Sequence, residues 1–308
     1  MVTKTEFPKK PARKKIRSSF EDKIISFVCY SFVSLFAIAV MYPMLNLISV
    51  SVSTYRAYLL RPWMFFPTEF DFTAFTTVFQ SPQLMQSYGN TLFITGVGTV
   101  LTLAVTALTA YPISRPQLRY KSMYMTLIII TMMIGAGTIP NFLLIRDLGM
   151  YNTIWALFIP STVGAYNVIL MINFFRGLPD SLLEAAKVDG ATETRILFSI
   201  VLPLSLPIMA TIGLFRAVGL WNSYFAGIVY IRDRELWPVQ LVLREVILAA
   251  NTAMAESGGN AAEMDLSNIP TISIQYASLL VVMVPIMCVY PFLQKYFAKG
   301  IMLGAVKG

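Results

Sequence analysis

The sequence predicts an all-α membrane protein of six transmembrane helices with both termini in the cytoplasm. Three observations predict it. Hydrophobic residues make up 56% of the 308 and charged residues only 13%, whereas a soluble chain carries about 25% charge. Lipid is therefore the solvent of much of the surface. Six stretches reach the roughly 20 apolar residues that a helix needs to cross hydrocarbon. The Lys and Arg residues fall mostly on one side of those stretches.

The six stretches are residues 24–50, 88–112, 122–145, 152–175, 204–229 and 271–294. With the amino terminus inside, the inner segments hold 17 Lys and Arg, the outer loops 6, and Arg216 is the last of the 24. That asymmetry places both ends in the cytoplasm. Residues 1–23 form a basic cytoplasmic tail with eight of those cations, suited to anionic lipid. The first helix, 24–53, follows. The uncharged run Ile24–Tyr55 is 32 residues, too long for a signal-peptide core of about 7–15, so it is read as a retained span. Residues 54–86, with Trp63, Phe65, Phe66, Phe70 and Phe72, suit an aromatic segment at the outer interface. Residues 87–295 are the core and 296–308 a cytoplasmic tail. Residues 230–270, with the polar run Asn251–Asp265, read as a flexible outer loop. Gly96, Gly98, Gly135, Gly137 and Gly164 are expected to mark close helix contacts.

Composition excludes several functions. The net charge of +8 is concentrated beside the first span, which argues against nucleic acid. There is no His, and hence none of the commonest proton shuttle and metal ligand. Cys29 and Cys288 sit in apolar runs and suggest neither disulfide nor metal. No phosphate-binding G-x-x-x-x-G-K-[ST] loop is present, and no Asp or Glu lies in the six stretches to carry a proton relay. No catalytic pair or nucleophile elbow is visible. The chain is expected to be no enzyme, to hold no cofactor or metal, and to draw its energy from a partner.

The inner segment 176–203 breaks the pattern of plain connections. Pro179 with Asp180 or Ser181 predicts a helix start, and Leu182, Leu183, Ala185 and Ala186 give it a short apolar face. Gly190 predicts the helix end, because it can take positive φ. A second helix is expected from Ala191 to about Leu202-Pro203. The run Glu184-Ala185-Ala186, three residues, Gly190, nine residues, then Ile200-x-Leu202-Pro203 resembles the EAA loop of ABC importer permeases. The tail, Gln294-Lys295-Tyr296-Phe297 with Gly300, Gly304 and Lys307, resembles the carbohydrate branch. Within that branch the chain is similar to the maltose-type second permease, in its polysaccharide and lipoprotein-linked sugar subgroup.

The resemblance implies a type I importer permease in the bacterial cytoplasmic membrane. It implies a second, non-identical permease, two ATPase subunits that bind ATP and Mg, and an extracytoplasmic solute-binding protein. Glu184, Ala185, Ala186, Asp189, Gly190, Arg195, Leu202 and Pro203 would couple to the ATPase, with Asp189 and Arg195 orienting the loop. Lys295, Gly304 and Lys307 would contact it at the carboxyl end. An oligosaccharide is the implied cargo, with a peptide or amino acid as the rival. A membrane anchor or enzyme is the rival from another class.

Arg216 is the one charge inside a predicted span. At mid-bilayer an Arg costs roughly 2.5–3.5 kcal/mol, so it faces a polar path or partner helix, or else snorkels to the outer headgroups. Trp221, Asn222 and Tyr224 follow on the same predicted helix. Rings and amides suit sugar binding, and an outer aromatic belt is the other reading.

Overall fold

The computed structural model describes residues 20–256 and 271–305. The basic stretch before Phe20, most of the polar run after Asn251, and Lys307 lie outside the described residues.

Helix α1 (Phe20–Ser51) opens with Glu21 and Asp22 in its first turn, where acidic groups complement the helix dipole. Its residues 20–41 are exposed within the chain, as expected of a helix whose solvent is lipid. Near its end, Asn46 Nδ2 donates to the Pro62 and Met64 carbonyls, each at 3.0 Å. These bonds anchor the aromatic segment that carries α2 (Tyr55–Leu60) and α3 (Thr73–Gln80). The Thr73 hydroxyl and amide both donate to Asp71, holding that carboxyl below the usual carboxylate range.

Helix α4 (Pro82–Ser114) is the central post. Around it lie α5 (Lys121–Met133), α6 (Thr138–Asp147), two short 3-10 turns (Ile154–Leu157 and Ile159–Ser161) and α7 (Ala165–Arg176). The chain continues with α8 (Asp180–Val188), α9 (Glu193–Ile196), a π-turn over Leu197–Val201 and α10 (Leu202–Leu204). Then follow α11 (Leu206–Trp221), α12 (Phe225–Tyr230), α13 (Val239–Glu256) and α14 (Thr271–Ala305). Buried residues of α4, α7, α8, α9 and α11 share one apolar cluster.

Phe20–Ser51, Pro82–Ser114 and Ile272–Val289 are each long and apolar enough to cross a membrane. Three bent pairs qualify only when taken together, so the described residues hold three to six candidate crossings.

Three of the six expected stretches are bent. The stretch 122–145 is two helices at 113°, because Gly137 takes φ +83 and cannot continue a helix. The stretch 152–175 bends by 49° between the 3-10 turns, Ile154–Ser161, and α7, at a break that includes Gly164. The stretch expected at 204–229 ends at Trp221, with Asn222 as its cap. Its amino-terminal end meets the preceding helical stretch at 78°, across Ser205 and before Pro207. The outer region expected as a loop contains the 18-residue α13, whose Val239, Val242 and Leu243 are buried against α3, α4 and α14. The packing partners of that face, far away in sequence, made it helical.

The glycines divide. A Cβ on Gly98 would lie 2.7 Å from Leu220 Cδ1 and 3.1 Å from Phe158 Cβ, and one on Gly164 would lie 3.4 Å from Asn167 Nδ2. Nothing stands within 4 Å of that position at Gly96, Gly135 or Gly137, so these three mark no close contact within the chain. Gly98→Ala is therefore expected to destabilise by about 1–3 kcal/mol through overpacking. Gly96→Ala should be neutral or slightly stabilising, since Ala is the better helix former. Thermal unfolding of the two purified variants checks the opposite signs.

Candidate functional site

The loop after α7 folds into a two-helix knob. Helix α8 starts directly after Pro179, and no side chain caps it. Asp180 or Ser181 was expected to cap the free amides. Asp180 instead sits in the first turn, where its charge faces the helix dipole favourably.

The end of α8 is a Schellman motif built on Gly190. That residue takes φ +76. Its amide donates to the Lys187 carbonyl at 3.0 Å, and the Ala191 amide donates to the Ala186 carbonyl at 2.9 Å, the two bonds that define the motif. Ala191 also packs beside the cluster that contains Ala186. The chain then turns, and the Thr192 hydroxyl caps α9 by accepting from the Arg195 amide.

Side chains lock the two helices together. Lys187 Nζ lies 2.6 Å from Glu193 Oε1 across the turn. The Tyr111 hydroxyl, from the end of α4, donates to Glu193 Oε2 at 2.6 Å. The Arg115 guanidinium stands 5.1 Å from the Tyr111 ring centroid and donates to the Phe175 carbonyl of α7 at 3.2 Å. One polar chain thus ties α4, α7, α8 and α9. Asp189 and Arg195 were expected to orient the knob, but among the described residues they make no side-chain hydrogen bond or ion pair. Lys187 and Glu193 do that work. Sequence reading missed them because the pair spans a glycine turn, and missed Tyr111 because it lies 82 positions away. Sequence reading also missed the Thr192 cap, for which a Thr ahead of Glu-Thr-Arg is a local signal.

Beneath the polar tie, Leu183 and Ala186 are buried with Ile196, Leu197 and Val201 against α4 and α7. Leu202 packs beside this cluster, while Pro203 is exposed just ahead of the Ser205 break. Glu184, Ala185, Val188, Asp189 and Gly190 are exposed on the other side. The knob is rigidly held from behind and open in front. Lys295 and Gly304 fall within α14. Among the described residues no three His, Cys, Asp or Glu side chains gather as a metal site.

Tyr111→Phe is expected to keep the apolar packing and lose only the bond to Glu193. A bond to a charged acceptor is worth about 1.5–3 kcal/mol, so thermal stability should fall while the helical circular dichroism stays the same. Glu193→Gln should reproduce part of that loss, and adding it to Tyr111→Phe should cost less than the sum of the two.

Arg216 has its partners inside the chain. Its Nη2 donates to the Phe158 carbonyl at 3.2 Å and to Ser161 Oγ at 2.8 Å. Phe158 sits where the helical hydrogen bonding is interrupted between the two 3-10 turns. Its carbonyl also accepts from Ser161 and Thr162 hydroxyls at 3.3 and 3.0 Å. Arg216 thus pins α11 to the bend of the neighbouring crossing. Trp221 is 4% exposed; its indole donates to the Val282 carbonyl at 3.2 Å and its ring meets Tyr88 edge-on. It belongs to the packing core and presents no open ring face. Asn222 and Tyr224 are exposed, and they leave the helix that was expected to carry them: Asn222 caps α11 and Tyr224 precedes α12.

Broken apolar crossings around a central helix, with a braced two-helix knob at one end, define a membrane permease. Residues 101–303 match the family of binding-protein-dependent transport system inner membrane components. The chain is 36% identical over 291 residues to the polygalacturonan/rhamnogalacturonan transport system permease protein YtcP of Bacillus subtilis (strain 168), across 94% of this chain and 100% of that one. It is 38% identical to Protein LplC of the same organism, over 86% of this chain and 89% of that one. A chain in the crystal structure of a bacterial ABC transporter involved in the import of the acidic polysaccharide alginate superposes with a TM-score of 0.83. That chain is 33% identical, with 92% of this chain and 100% of that one covered. The chain belongs to the family of binding-protein-dependent transport system inner membrane components and is a membrane-embedded subunit.

Proposed function

We propose that this chain is one permease of an ATP-driven importer and forms half of the path for an oligosaccharide or polysaccharide fragment. The observation that carries the reading is the knob, buried on α4 and α7 behind and exposed along Glu184, Ala185 and Val188 in front. A separate ATPase docks on that front face, and its closure moves α4 and α7 through the polar tie. Six spans cross the cytoplasmic membrane, three of them broken, and both termini are cytoplasmic. ATP and Mg bind in the ATPase, and this chain holds no cofactor. A second, non-identical permease completes the path, two ATPase subunits sit below it, and an extracytoplasmic solute-binding protein delivers the cargo. Uronate-containing glycans are the favoured cargo class, since relatives named above are described by polygalacturonan, rhamnogalacturonan and the acidic polysaccharide alginate.

Co-expression with the neighbouring gene products and purification through a tag on this chain test the reading. The second permease and the ATPase should co-purify. Hydrolysis in proteoliposomes should rise when glycan-loaded binding protein is added. Glu184→Arg should release the ATPase and leave the second permease bound. If no ATPase accompanies the wild-type chain, or if only peptides stimulate hydrolysis, the reading is wrong.

A further inference from the structure

Arg244 on α13 is a cation without an acid. Its neighbour Glu245 is taken by Arg234, and among the described residues Arg244 enters no ion pair. Its guanidinium stands 5.9 Å from the ring centroid of Tyr224, a residue 44% exposed. One turn earlier on the same face of α13, Gln240 Nε2 donates to Asn222 Oδ1 at 3.3 Å. Asn222 in turn donates to the Val218 carbonyl of α11. The end of α11, the turn before α12, and α13 thus bring together a planar cation, an aromatic ring and two amides.

The packed core sets their positions. The opposite face of α13 is buried through Val239, Val242 and Leu243. A Cβ on Gly227 of α12 would lie 3.0 Å from Pro238 Cδ and 3.1 Å from Leu241 Cδ2, so α12 and the start of α13 are in close contact. The Trp221 indole holds the end of α11 against α14.

The chemistry selects a ligand. A guanidinium takes a carboxylate through two parallel hydrogen bonds. An aromatic ring covers the apolar face of a sugar ring, and side-chain amides donate to and accept from hydroxyls. A neutral sugar leaves the cation unused, and a small carboxylate leaves the ring and amides unused. A sugar that bears a carboxylate engages all four groups.

We propose that Arg244, Tyr224, Asn222 and Gln240 form a subsite for one uronate residue of an acidic oligosaccharide, with Arg244 reading the carboxylate. The subsite rests on the glycan-importer reading and adds to it the group that distinguishes acidic from neutral sugars.

Equilibrium dialysis of labelled trigalacturonate, and of its fully methyl-esterified counterpart, against the purified permease–ATPase complex tests the subsite without the binding protein. The wild-type complex should bind the acid about tenfold more tightly than the ester, the scale of a charge-assisted hydrogen bond. That preference should narrow as salt is raised. Arg244→Gln should bind both equally and weakly, Arg244→Lys should recover part of the preference, and Tyr224→Ala should weaken both ligands alike. A preference that survives in Arg244→Gln overturns the assignment. So does loss of the second permease from the Arg244→Gln complex, which would make Arg244 an interface contact. If the wild-type complex binds neither probe, the subsite is wrong, and uptake of trigalacturonate with the binding protein present then judges the importer reading separately.

Discussion

Uptake by the assembled importer is expected to fall about tenfold or more when Gly190 is replaced by valine. The backbone there stands at φ +76, a region that excludes β-branched residues and costs other L-residues about 1–2 kcal/mol. An added Cβ meets no atom within 4 Å beyond its chain neighbours, so the Cβ itself is not crowded. The effect must pass through the backbone. To relieve the strain, the turn gives up the Gly190-to-Lys187 and Ala191-to-Ala186 bonds, and Lys187 no longer meets Glu193. The front of the knob then loses its brace to α4. A graded series should follow, with Gly best, Asn next because it tolerates the left-handed region, then Ala, then Val. ATP hydrolysis that continues while uptake falls would mark lost coupling. A valine variant within twofold of wild type in uptake would remove Gly190 from the mechanism.

Arg216→Leu is the second large effect, and its signature is a split between assembly and transport. Removing the Arg relieves an insertion penalty of roughly 2.5–3.5 kcal/mol. It also removes bonds from a charged donor to the Phe158 carbonyl and Ser161 Oγ, each worth about 1.5–3 kcal/mol. The two bonds together come to about 3–6 kcal/mol, which overlaps the relieved penalty at its lower end, so the amount of protein in the membrane should be near that of wild type or moderately below it. The 3-10 turns ahead of the 49° bend lose their tie to α11, while Ser161 and Thr162 still serve the Phe158 carbonyl. Uptake should therefore drop about tenfold with little change in abundance, and Arg216→Lys should recover part of it through a single donor. Quantitative membrane blots beside uptake assays check this, and equal loss of both would mean that Arg216 acts in folding alone.

Much of the site was legible locally. Pro179 and Gly190 set where the first knob helix begins and ends, because those residues carry their conformational preference with them; the restart, expected from Ala191, is set by the Thr192 cap. The same holds for the apolar runs of α1, α4 and α14. The breaks were harder to read, since a Gly or Pro inside an apolar run is compatible with a span that continues or with one that turns. The 113° bend at Gly137 follows from a backbone at φ +83 that a glycine can adopt but need not, and the 78° bend falls at the buried Ser205. Helix α13 was hidden for a related reason: its buried face becomes legible only when α3, α4 and α14 are known to cover it.

The sequence by itself determined that the chain is membrane-embedded, that α1, α4 and α14 are apolar and long enough to cross, and that a two-helix knob lies within residues 176–203. Composition and backbone preference are local properties, so one chain displays them. Only the tertiary structure decided what braces the knob and which polar groups remain available. Tyr111 reaches Glu193 over 82 positions and Arg216 reaches Phe158 over 58. Trp221 turns inward to Val282, and Asn222 and Tyr224 stay open beside Gln240 and Arg244. In a membrane protein an unpaired buried polar group is costly, and the partners that Tyr111, Arg216 and Trp221 find are set by helices that meet only when the chain has folded.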